Sequence, residues 1–158
     1  MPREGITNST AHLTLADEGE SFNRDIRMKA EQGDAAAQYT LGGLYDLGLS
    51  VKQNYKEAVK WYRKSAEQGY ADAQYFLGVS YLLGEGVTSD YEKAAEWFRK
   101  AADQGQAEAQ FALGEWYRKG YVEEINTKEA AKWYRKSAAQ GNKDAQEALD
   151  NLIKERKK

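Results

Sequence analysis

The strongest constraint on the fold of this chain is an internal repeat with a fixed interval of 36 residues. Several residue types recur at this interval, each at three or four matching positions: Gly33, Gly69, Gly105 and Gly141; Gln38, Gln74, Gln110 and Gln146; Trp61, Trp97 and Trp133; Tyr45, Tyr81 and Tyr117. A repeat of this length is typical of a solenoid, in which each unit buries its apolar face only against its neighbours. The chain is therefore expected to form one stack of similar units rather than a globule with a single central core.

Each repeat has the apolar spacing of two helices. In the central copy Ala73, Leu77 and Tyr81 lie four residues apart, which places them on one helix face. Gly84 suits the left-handed end of that helix, and Asp90 is a good N-cap for a second one. The matching positions of the flanking repeats resemble capping boxes: Asn54-x-x-Glu57 and Asn126-x-x-Glu129. Each unit is therefore predicted to be a pair of antiparallel helices.

Three glycines recur inside the first helix of each unit: Gly42, Gly78 and Gly114. A glycine in a helix interior costs about 1 kcal/mol relative to alanine, so its recurrence needs a structural reason. We expect the paired helix to cross at these points and to leave no room for a side chain. The substitution Gly78→Val is accordingly predicted to destabilise the fold far more than a surface change.

The repeats divide the chain into a tail and a solenoid over residues 21–158. Residues 1–20 are polar and match no repeat, so they are predicted to be a disordered or loosely docked tail. Residues 21–32 match the second helix of a unit. Three full repeats follow at 33–68, 69–104 and 105–140, and residues 141–158 are predicted to form a capping helix. The whole is predicted to be an all-α solenoid of about seven helices.

Composition and motifs argue against several classes of protein. No apolar window is long enough for a membrane span, and the N-terminus lacks the apolar core of a secretory signal. If Met1 is the native start, the protein is expected to be cytoplasmic. The chain has no cysteine, and its one histidine, His12, lies in the tail. Phosphate-loop, acylation and metal-ligand motifs are also absent, so the sequence predicts no enzyme, no cofactor and no metal site.

The repeats also carry a family resemblance. The segments AQYTLGGLY, AQYFLGVSY and AQFALGEWY, which begin at Ala37, Ala73 and Ala109, are each followed by a helix with a Trp-Tyr or Trp-Phe pair. They resemble Sel-one-like repeats (SLR), relatives of the tetratricopeptide repeat, over residues 30–149. The resemblance implies a right-handed superhelix of helix pairs. It also implies a role in protein interaction, because members of the family usually act as adaptors. Some bacterial members of the family resemble immunity proteins that neutralise secreted toxins.

The loops inside the helix pairs depart from the family pattern. That pattern often reads Gly-x-Gly-Val, and only the loop at residues 84–87 conforms to it. The loop at 48–51 has Ser50 in place of the second glycine, and the loop at 120–123 lacks both that glycine and the valine. We expect these two loops to be shaped differently and to expose Leu49 and Tyr121 to a partner.

A second stripe on each first helix is the candidate binding surface, because the resemblance to tetratricopeptide units places it on the concave wall. In the central repeat the stripe consists of Tyr75, Val79, Leu82 and Leu83. The flanking stripes are Tyr39, Gly43, Asp46 and Leu47 on one side and Phe111, Glu115, Arg118 and Lys119 on the other, with Ala36, Asp72 and Glu108 at the edge.

These stripes would give the groove an aromatic ladder, an apolar centre and a charged far end. Aromatic anchors beside charges suit protein recognition. The alternative for the ladder, Tyr39, Tyr75 and Phe111, is that it packs between neighbouring first helices as part of the core.

A basic column recurs on the other helix of each unit: Arg63 and Lys64, Arg99 and Lys100, Arg135 and Lys136. A nucleic-acid backbone would favour such a line of charge. The alternative is a solvated helix face whose long side chains cover the neighbouring tryptophans. The net charge of −2 and the acidic residues between the basic ones favour this alternative.

Taken together, the sequence predicts a non-enzymatic protein–protein interaction module that binds a protein or peptide on its concave face. A bacterial toxin-neutralising (immunity) protein is the sharper hypothesis within that class. An adaptor or scaffold in bacterial signalling or assembly is an alternative, and nucleic-acid binding through the convex basic column is another.

Overall fold

The chain forms a linear stack of α-helices in a computed structural model that describes residues 14–121 and 123–158. Within these residues there are eight helices and no β-strand. They are α1 (Leu15–Glu31), α2 (Ala35–Leu47), α3 (Tyr55–Glu67), α4 (Ala71–Leu83), α5 (Tyr91–Asp103), α6 (Ala107–Lys119), α7 (Thr127–Ala139) and α8 (Lys143–Arg156). Each helix packs mainly on the helices next to it in sequence, and α6 also touches α8. The predicted all-α solenoid is confirmed. The predicted segments (one helix at 21–32, three helix pairs and a capping helix) match the eight observed helices, so the expected count of about seven was one too low.

Helix α1 begins at Leu15, six residues before the predicted boundary. A capping box explains this start: the Asp17 backbone N–H donates to the Thr14 hydroxyl (3.2 Å), and the Thr14 backbone N–H donates to the Asp17 carboxylate (3.0 Å). These residues belong to no repeat, so the repeat pattern did not indicate a helix there. The rest of the predicted tail, residues 1–13 with His12, lies outside the described residues.

The N-caps of the second helices are partly as predicted. The Asp90 carboxylate accepts the Lys93 N–H (3.0 Å), and Asn54 likewise accepts the Glu57 N–H (3.1 Å). The expected reciprocal bond of a capping box is replaced, because the Asn54 backbone N–H donates to the Tyr45 carbonyl (2.9 Å). Asn126 repeats this arrangement with Glu129 and Tyr117. A bond between the two ends of the loop therefore takes the place of a local one.

The first and second loops share a backbone conformation that the sequence did not predict. Ser50 has φ 61°, and Gly86, at the matching position, has φ 74°. A side chain on Gly86 would collide with the Tyr55 carbonyl, which explains the glycine there. The expected difference in shape is wrong at Ser50, which adopts the left-handed conformation without a glycine. The third position, Val122, lies outside the described residues, and Leu49 and Tyr121 are exposed as expected.

The recurring helix glycines mark close helix crossings, as predicted. A Cβ added at Gly78 would lie 2.8 Å from two ring carbons of Phe98 on α5. At Gly42 the Tyr62 ring would be 2.6 Å away, and at Gly114 the Tyr134 ring occupies the same space. The first helix of each full repeat thus receives an aromatic ring of its paired helix in a notch that only glycine leaves open.

A repeated glutamine clamp joins three consecutive helices. The Gln74 amide donates to the Ala66 carbonyl of α3 (3.2 Å), and Gln74 accepts from the Gln104 amide at the end of α5 (2.8 Å). Gln104 also donates to the Gly69 carbonyl (2.9 Å). The same bonds recur around Gln38 and Gln110. Gln38, Gln74 and Gln110 are buried, so their amide groups have little access to water. Each clamp therefore supplies hydrogen-bond partners that water cannot provide.

Helix α8 ends the pattern of notches with a charge. Asp150 stands where Gly42, Gly78 and Gly114 stand in the other first helices, and its side chain is exposed. Leu149 and Leu152, on the other face, are buried against the stack. The outer face of α8 is thus polar, as the terminal helix of a solenoid requires. No helix among the described residues has the length and apolar character needed to cross a bilayer.

Candidate partner-binding groove

A cavity of about 370 Å³ opens on the inner wall of the solenoid between α4 and α6. Its lining residues come from α4, α5, α6 and the loop that follows α6: Tyr75, Val79, Leu82, Tyr91, Phe98, Glu108, Phe111, Ala112, Glu115, Trp116, Lys119 and Tyr121. The structure therefore brings together seven of the residues predicted for the binding surface: Tyr75, Val79, Leu82, Glu108, Phe111, Glu115 and Lys119. Most of the lining is apolar, so the cavity suits an apolar side chain.

The aromatic ladder belongs partly to this wall and partly to the core. Each ladder ring is half-buried and packs on an aromatic ring of the second helix in its own repeat. Tyr75 lies 5.7 Å from Phe98 between ring centroids, and Phe111 lies 5.9 Å from Tyr134. Tyr39 is 6.1 Å from Tyr62 and also contacts Tyr70 and Phe76. The ladder thus supports the wall, and its half-exposed edges are available to a ligand.

The apolar centre has a specific structural cause. In the first repeat the Tyr62 hydroxyl donates to the Asp46 carboxylate (3.0 Å), and in the third the Tyr134 hydroxyl donates to Glu115. The central repeat has Phe98 at the position of these tyrosines. Val79 and Leu82 stand where Glu115 and Asp46 stand in the other two repeats. The central repeat therefore lacks both the hydroxyl and its carboxylate partner, which leaves an apolar surface.

Glu115 forms the charged end of this cavity. Burial would raise the pKa of its carboxyl, but hydrogen bonds from Arg118, Tyr134 and Lys119 outweigh burial and lower that pKa to about 2. Arg118 donates through two nitrogens at 3.1 and 2.9 Å, and the Lys119 ammonium lies 3.0 Å away. Burial, followed by the nearby carboxylate, raises the pKa of Tyr134. Glu115 therefore stays ionised at neutral pH, and Tyr134 remains a donor.

A second cleft, of about 480 Å³, continues the groove between α6 and α8. Glu115 and Arg118 form one side, and α8 with its C-terminal end supplies the other: Asp144, Glu147, Ala148, Asn151, Leu152, Lys154, Glu155 and Lys158. The far end of the groove is therefore charged. The α8 residues were not predicted for the surface, because the repeat pattern indicated only a capping helix at residues 141–158.

The remaining residues of the predicted surface lie outside the central cavity. Asp46 is committed to Tyr62, and a Cβ added at Gly43 would meet only the Tyr62 hydroxyl oxygen, at 3.8 Å. Leu47 and Leu83, at the ends of α2 and α4, are 68% and 59% exposed. Asp72 is exposed in the first turn of α4.

Three aromatic side chains, Trp116, Tyr91 and Tyr121, pack together beside the cavity, and the sequence indicated only one of them. Trp116 lies 5.2 Å from Tyr121 and 6.0 Å from Tyr91 between ring centroids, and it also packs on Phe98 at 5.3 Å. Tyr121 was predicted to be exposed, whereas Trp116 and Tyr91 were overlooked. Trp116 breaks the repeat, since Leu44 and Ser80 stand at the matching positions. A search for large residues that break the repeat would have found it.

The basic column is engaged with aromatic side chains of the protein itself. Arg63 donates to the Tyr81 hydroxyl (3.0 Å), and Arg99 donates to the Tyr117 hydroxyl in the same way. The Lys64, Lys100 and Lys136 ammonium groups lie over Trp61, Trp97 and Trp133, at 4.7, 4.5 and 4.5 Å from the ring centroids. These contacts agree with the interpretation that the basic side chains cover the tryptophans.

Among residues 14–121 and 123–158, no group of three or more histidine, cysteine, aspartate or glutamate side chains is arranged to hold a metal ion.

The fold and the groove define a class: an α-solenoid of repeated helix pairs with a candidate recognition surface on its inner wall. The family model of the Sel1 repeat matches residues 35–70, 71–106 and 107–142. The chain belongs to the Sel1 repeat family, as the sequence resemblance predicted. Each matched unit begins two residues later than the predicted repeats. Sel1-repeat proteins generally mediate protein–protein interactions, and the family is generally non-enzymatic.

Solved structures with the same fold come from several bacteria. A protective antigen of uropathogenic Escherichia coli with an SLR fold is 39% identical, with a TM-score of 0.79, over 82% of this chain and 28% of that one. A Sel1 repeat protein from Oxalobacter formigenes is 38% identical, with a TM-score of 0.74, over 81% of this chain and 96% of the other. Cysteine rich protein B of Helicobacter pylori, 23% identical over 86% of this chain and 98% of that one, shares the fold (TM-score 0.64).

A viral sequence also matches. A sel1-like repeat-containing protein of Acanthamoeba polyphaga mimivirus is 44% identical over 41 residues, which are 26% of this chain and 7% of that protein. The chain thus spans only a small part of the mimivirus protein and of the E. coli antigen.

Proposed function

We propose that the protein binds a protein partner in the groove on its inner wall, and that an apolar side chain of the partner enters the cavity between α4 and α6. One observation carries this proposal: the cavity is apolar because the central repeat replaces a tyrosine–carboxylate pair with Phe98 and Val79. Val79 packs partly against the core, and its remaining exposed surface faces the cavity. Apolar cavities rimmed by polar groups are common anchor sites in protein interfaces.

The decisive experiment compares two neighbouring leucines. Leu82 lines the cavity and is half-buried, whereas Leu83 is 59% exposed and is not among the lining residues. The variants Leu82→Arg and Leu83→Arg, and the wild type, would be used to capture partners from a lysate of the native cells. We expect Leu82→Arg to abolish capture and Leu83→Arg to retain most of it.

Thermal melts of all three proteins serve as the control for folding. Both variants replace a leucine with an arginine, so they add equal charge and bulk. If Leu82→Arg melts like the wild type and still captures the same partner, the cavity is not the binding site. Equal loss in both variants would contradict the assignment of the anchor to the cavity.

A sharper form of the proposal is that the partner is a toxin and that this protein is its bacterial, cytoplasmic immunity protein. Neutralisation of this kind needs only tight occupation of a toxin surface and no catalysis by the inhibitor. The captured partner, expressed alone, should then arrest growth, and co-expression of the wild type but not of Leu82→Arg should restore it. A partner that is harmless alone would favour an adaptor or scaffold instead.

Nucleic-acid binding through the basic column has weaker support. Arg63 and Arg99 donate to tyrosine hydroxyls, and the three lysines of the column lie over tryptophan rings. Binding a phosphate backbone with these five side chains would displace internal contacts. Retention of the protein on duplex DNA at low salt, with release at higher salt, would revive this alternative.

A further inference from the structure

Charge is divided unevenly between the two walls of the solenoid. The inner helices α2, α4 and α6 carry four acidic and two basic residues. The outer helices α3, α5 and α7 carry six acidic and eleven basic residues. The net charge of the whole chain, −2, hides this separation. A ligand in the groove therefore meets a surface of net negative charge although the opposite wall is positive.

Both basic residues of the inner helices pair with a single carboxylate, so that cluster keeps one net positive charge. Arg118 and Lys119 both pair with Glu115, at 2.9 and 3.0 Å. The salt bridges between described residues include none with Asp72, Glu108 or Asp144. The negative charge of the groove is thus concentrated away from Glu115.

Those three acids form one edge of the groove. Asp72, Glu108 and Asp144 are each the second residue of their helix, at the 36-residue interval, and all three are exposed. The Gln106 amide lies between the first two, 3.4 Å from Asp72 and 2.8 Å from Glu108. The edge therefore runs along α4, α6 and α8, past the central cavity and the charged cleft, and we call it the acidic edge.

The acidic edge is close enough to the ladder to act on it. The pKa of Tyr75 is raised by burial and then by the charge of Glu108, and burial followed by Asp72 raises the pKa of Tyr39. Tyr75 and Glu108 also line the same cavity. An apolar anchor and a cation three or four residues away in one ligand could therefore reach the cavity and the acidic edge together. Acids in a first helix turn also stabilise the helix, and that effect does not prevent such contacts.

We infer that the groove selects a positively charged segment of its partner, in which a large apolar side chain fills the cavity and neighbouring lysine or arginine side chains contact the acidic edge. The inference rests on the proposed function, because it requires the groove to be the binding surface. It adds the chemistry of the segment: an apolar anchor such as Leu, Met or Phe, with basic residues on one side. An acidic or neutral segment of the same shape would bind more weakly.

A phage-displayed library of random 16-residue peptides is a suitable probe, panned against the intact protein. We expect the enriched peptides to share a large apolar residue with two or more lysines or arginines nearby. An enriched peptide, synthesised with a fluorescent label, would then be titrated with the wild type and three variants. The acidic-edge variant combines Asp72→Asn with Glu108→Gln and removes two charges of the acidic edge. The α5 variant combines Glu92→Gln with Glu96→Gln and removes two charges from the opposite wall. The third variant is Leu82→Arg.

The acidic-edge variant should bind the peptide about fivefold to tenfold more weakly, because two partly exposed ion pairs are lost. Its affinity should also depend less on salt between about 50 and about 300 mM, where surface charges are progressively screened. The α5 variant should bind like the wild type, which excludes a general effect of net charge. Leu82→Arg should bind more than tenfold more weakly.

The outcomes separate the two proposals. Enriched peptides that are neutral or acidic, or equal binding by the acidic-edge variant and the wild type, would overturn the inference about charge. If Leu82→Arg still loses binding in that case, the proposed function stands. Peptides that bind Leu82→Arg as tightly as the wild type would contradict the proposed function as well. A library that yields no enriched sequence overturns the inference, and the capture experiment then decides the function.

Discussion

The Tyr134 hydroxyl donates a hydrogen bond to the Glu115 carboxylate across the paired helices α6 and α7. One repeat earlier the same two positions hold Phe98 and Val79. Phe98 packs in the Gly78 notch as Tyr134 packs in the Gly114 notch, so only the polar ends of the pair differ. The two repeats therefore have the same packing, but the central repeat presents an apolar cavity where the third presents a charge.

This relationship predicts coupling between residues 98 and 79. The substitution Phe98→Tyr places a hydroxyl beside Val79 and Leu82 without a carboxylate to accept its hydrogen bond, and should cost about 1–2 kcal/mol of unfolding free energy. Adding Val79→Glu should recover about 1 kcal/mol by restoring the pair seen in the third repeat. Urea unfolding of the two single variants and the double variant measures the coupling. Strictly additive effects would contradict the account.

Glu115 predicts a specific acid dependence of stability. Its pKa is lowered to about 2 in the folded protein, below the ordinary value of 4.5 that applies in the unfolded chain. The ionised carboxylate therefore stabilises the fold above about pH 4.5, and this contribution is lost as the pH falls towards about 2. The difference in unfolding free energy between the wild type and Glu115→Gln should shrink over that range, as measured by urea unfolding at several pH values. A difference that stays constant would mean that the carboxylate is not held by Arg118, Lys119 and Tyr134.

Two adjacent glycines in α2 provide a matched test of the helix crossing. A Cβ at Gly42 would lie 2.6 Å from the Tyr62 ring, whereas a Cβ at Gly43 would meet only the Tyr62 hydroxyl oxygen at 3.8 Å. We expect Gly42→Ala to destabilise the protein by about 1–3 kcal/mol through overpacking. Gly43→Ala should be neutral or stabilising by about 0.5–1 kcal/mol, because alanine is the better helix former. Thermal or urea unfolding distinguishes them, and equal effects would rule out the notch.

The glutamine clamp predicts a different cost at two glutamines. Gln104→Ala removes the donor to the buried Gln74 amide oxygen and to the Gly69 carbonyl, so it should cost about 1–3 kcal/mol. Gln146→Ala removes only a bond to the exposed Asp150 and should cost less than about 0.5 kcal/mol. Urea unfolding of both variants checks this. Similar stabilities would show that the clamp contributes little.

The parts of the fold that repeat were predictable from the sequence, and the reason is physical. Each unit must pack on an almost identical neighbour, so packing residues such as Gly78 and Leu77 recur at a fixed interval. The start of α1 at Leu15 was missed because it lies outside the repeats. The partner of the Asn54 N–H was missed because the Tyr45 carbonyl is nine residues away and is brought close only by the loop.

The residues that distinguish the central cavity differ from those at the matching positions of the other repeats, so they are found where the repeat breaks. Val79 and Leu82 were identified because Glu115 and Asp46 occupy the matching positions in the other repeats. The same reasoning applies to Trp116, which replaces Leu44 and Ser80, but its contact with Tyr91 and Tyr121 depends on how α5 and α6 pack. The acidic edge needed the structure too, because the first turns of three helices had to be placed along one groove.

Methyl NMR can show whether a partner occupies the cavity between α4 and α6. The captured partner would be titrated into protein labelled at its valine, leucine and isoleucine methyl groups. We expect the Val79 and Leu82 signals to shift or broaden on binding, while those of Val59 on α3 and the exposed Ile125 stay unchanged. Unchanged Val79 and Leu82 signals, with shifts at Val59 or Ile125 instead, would place the partner elsewhere and rule out the cavity as the binding site.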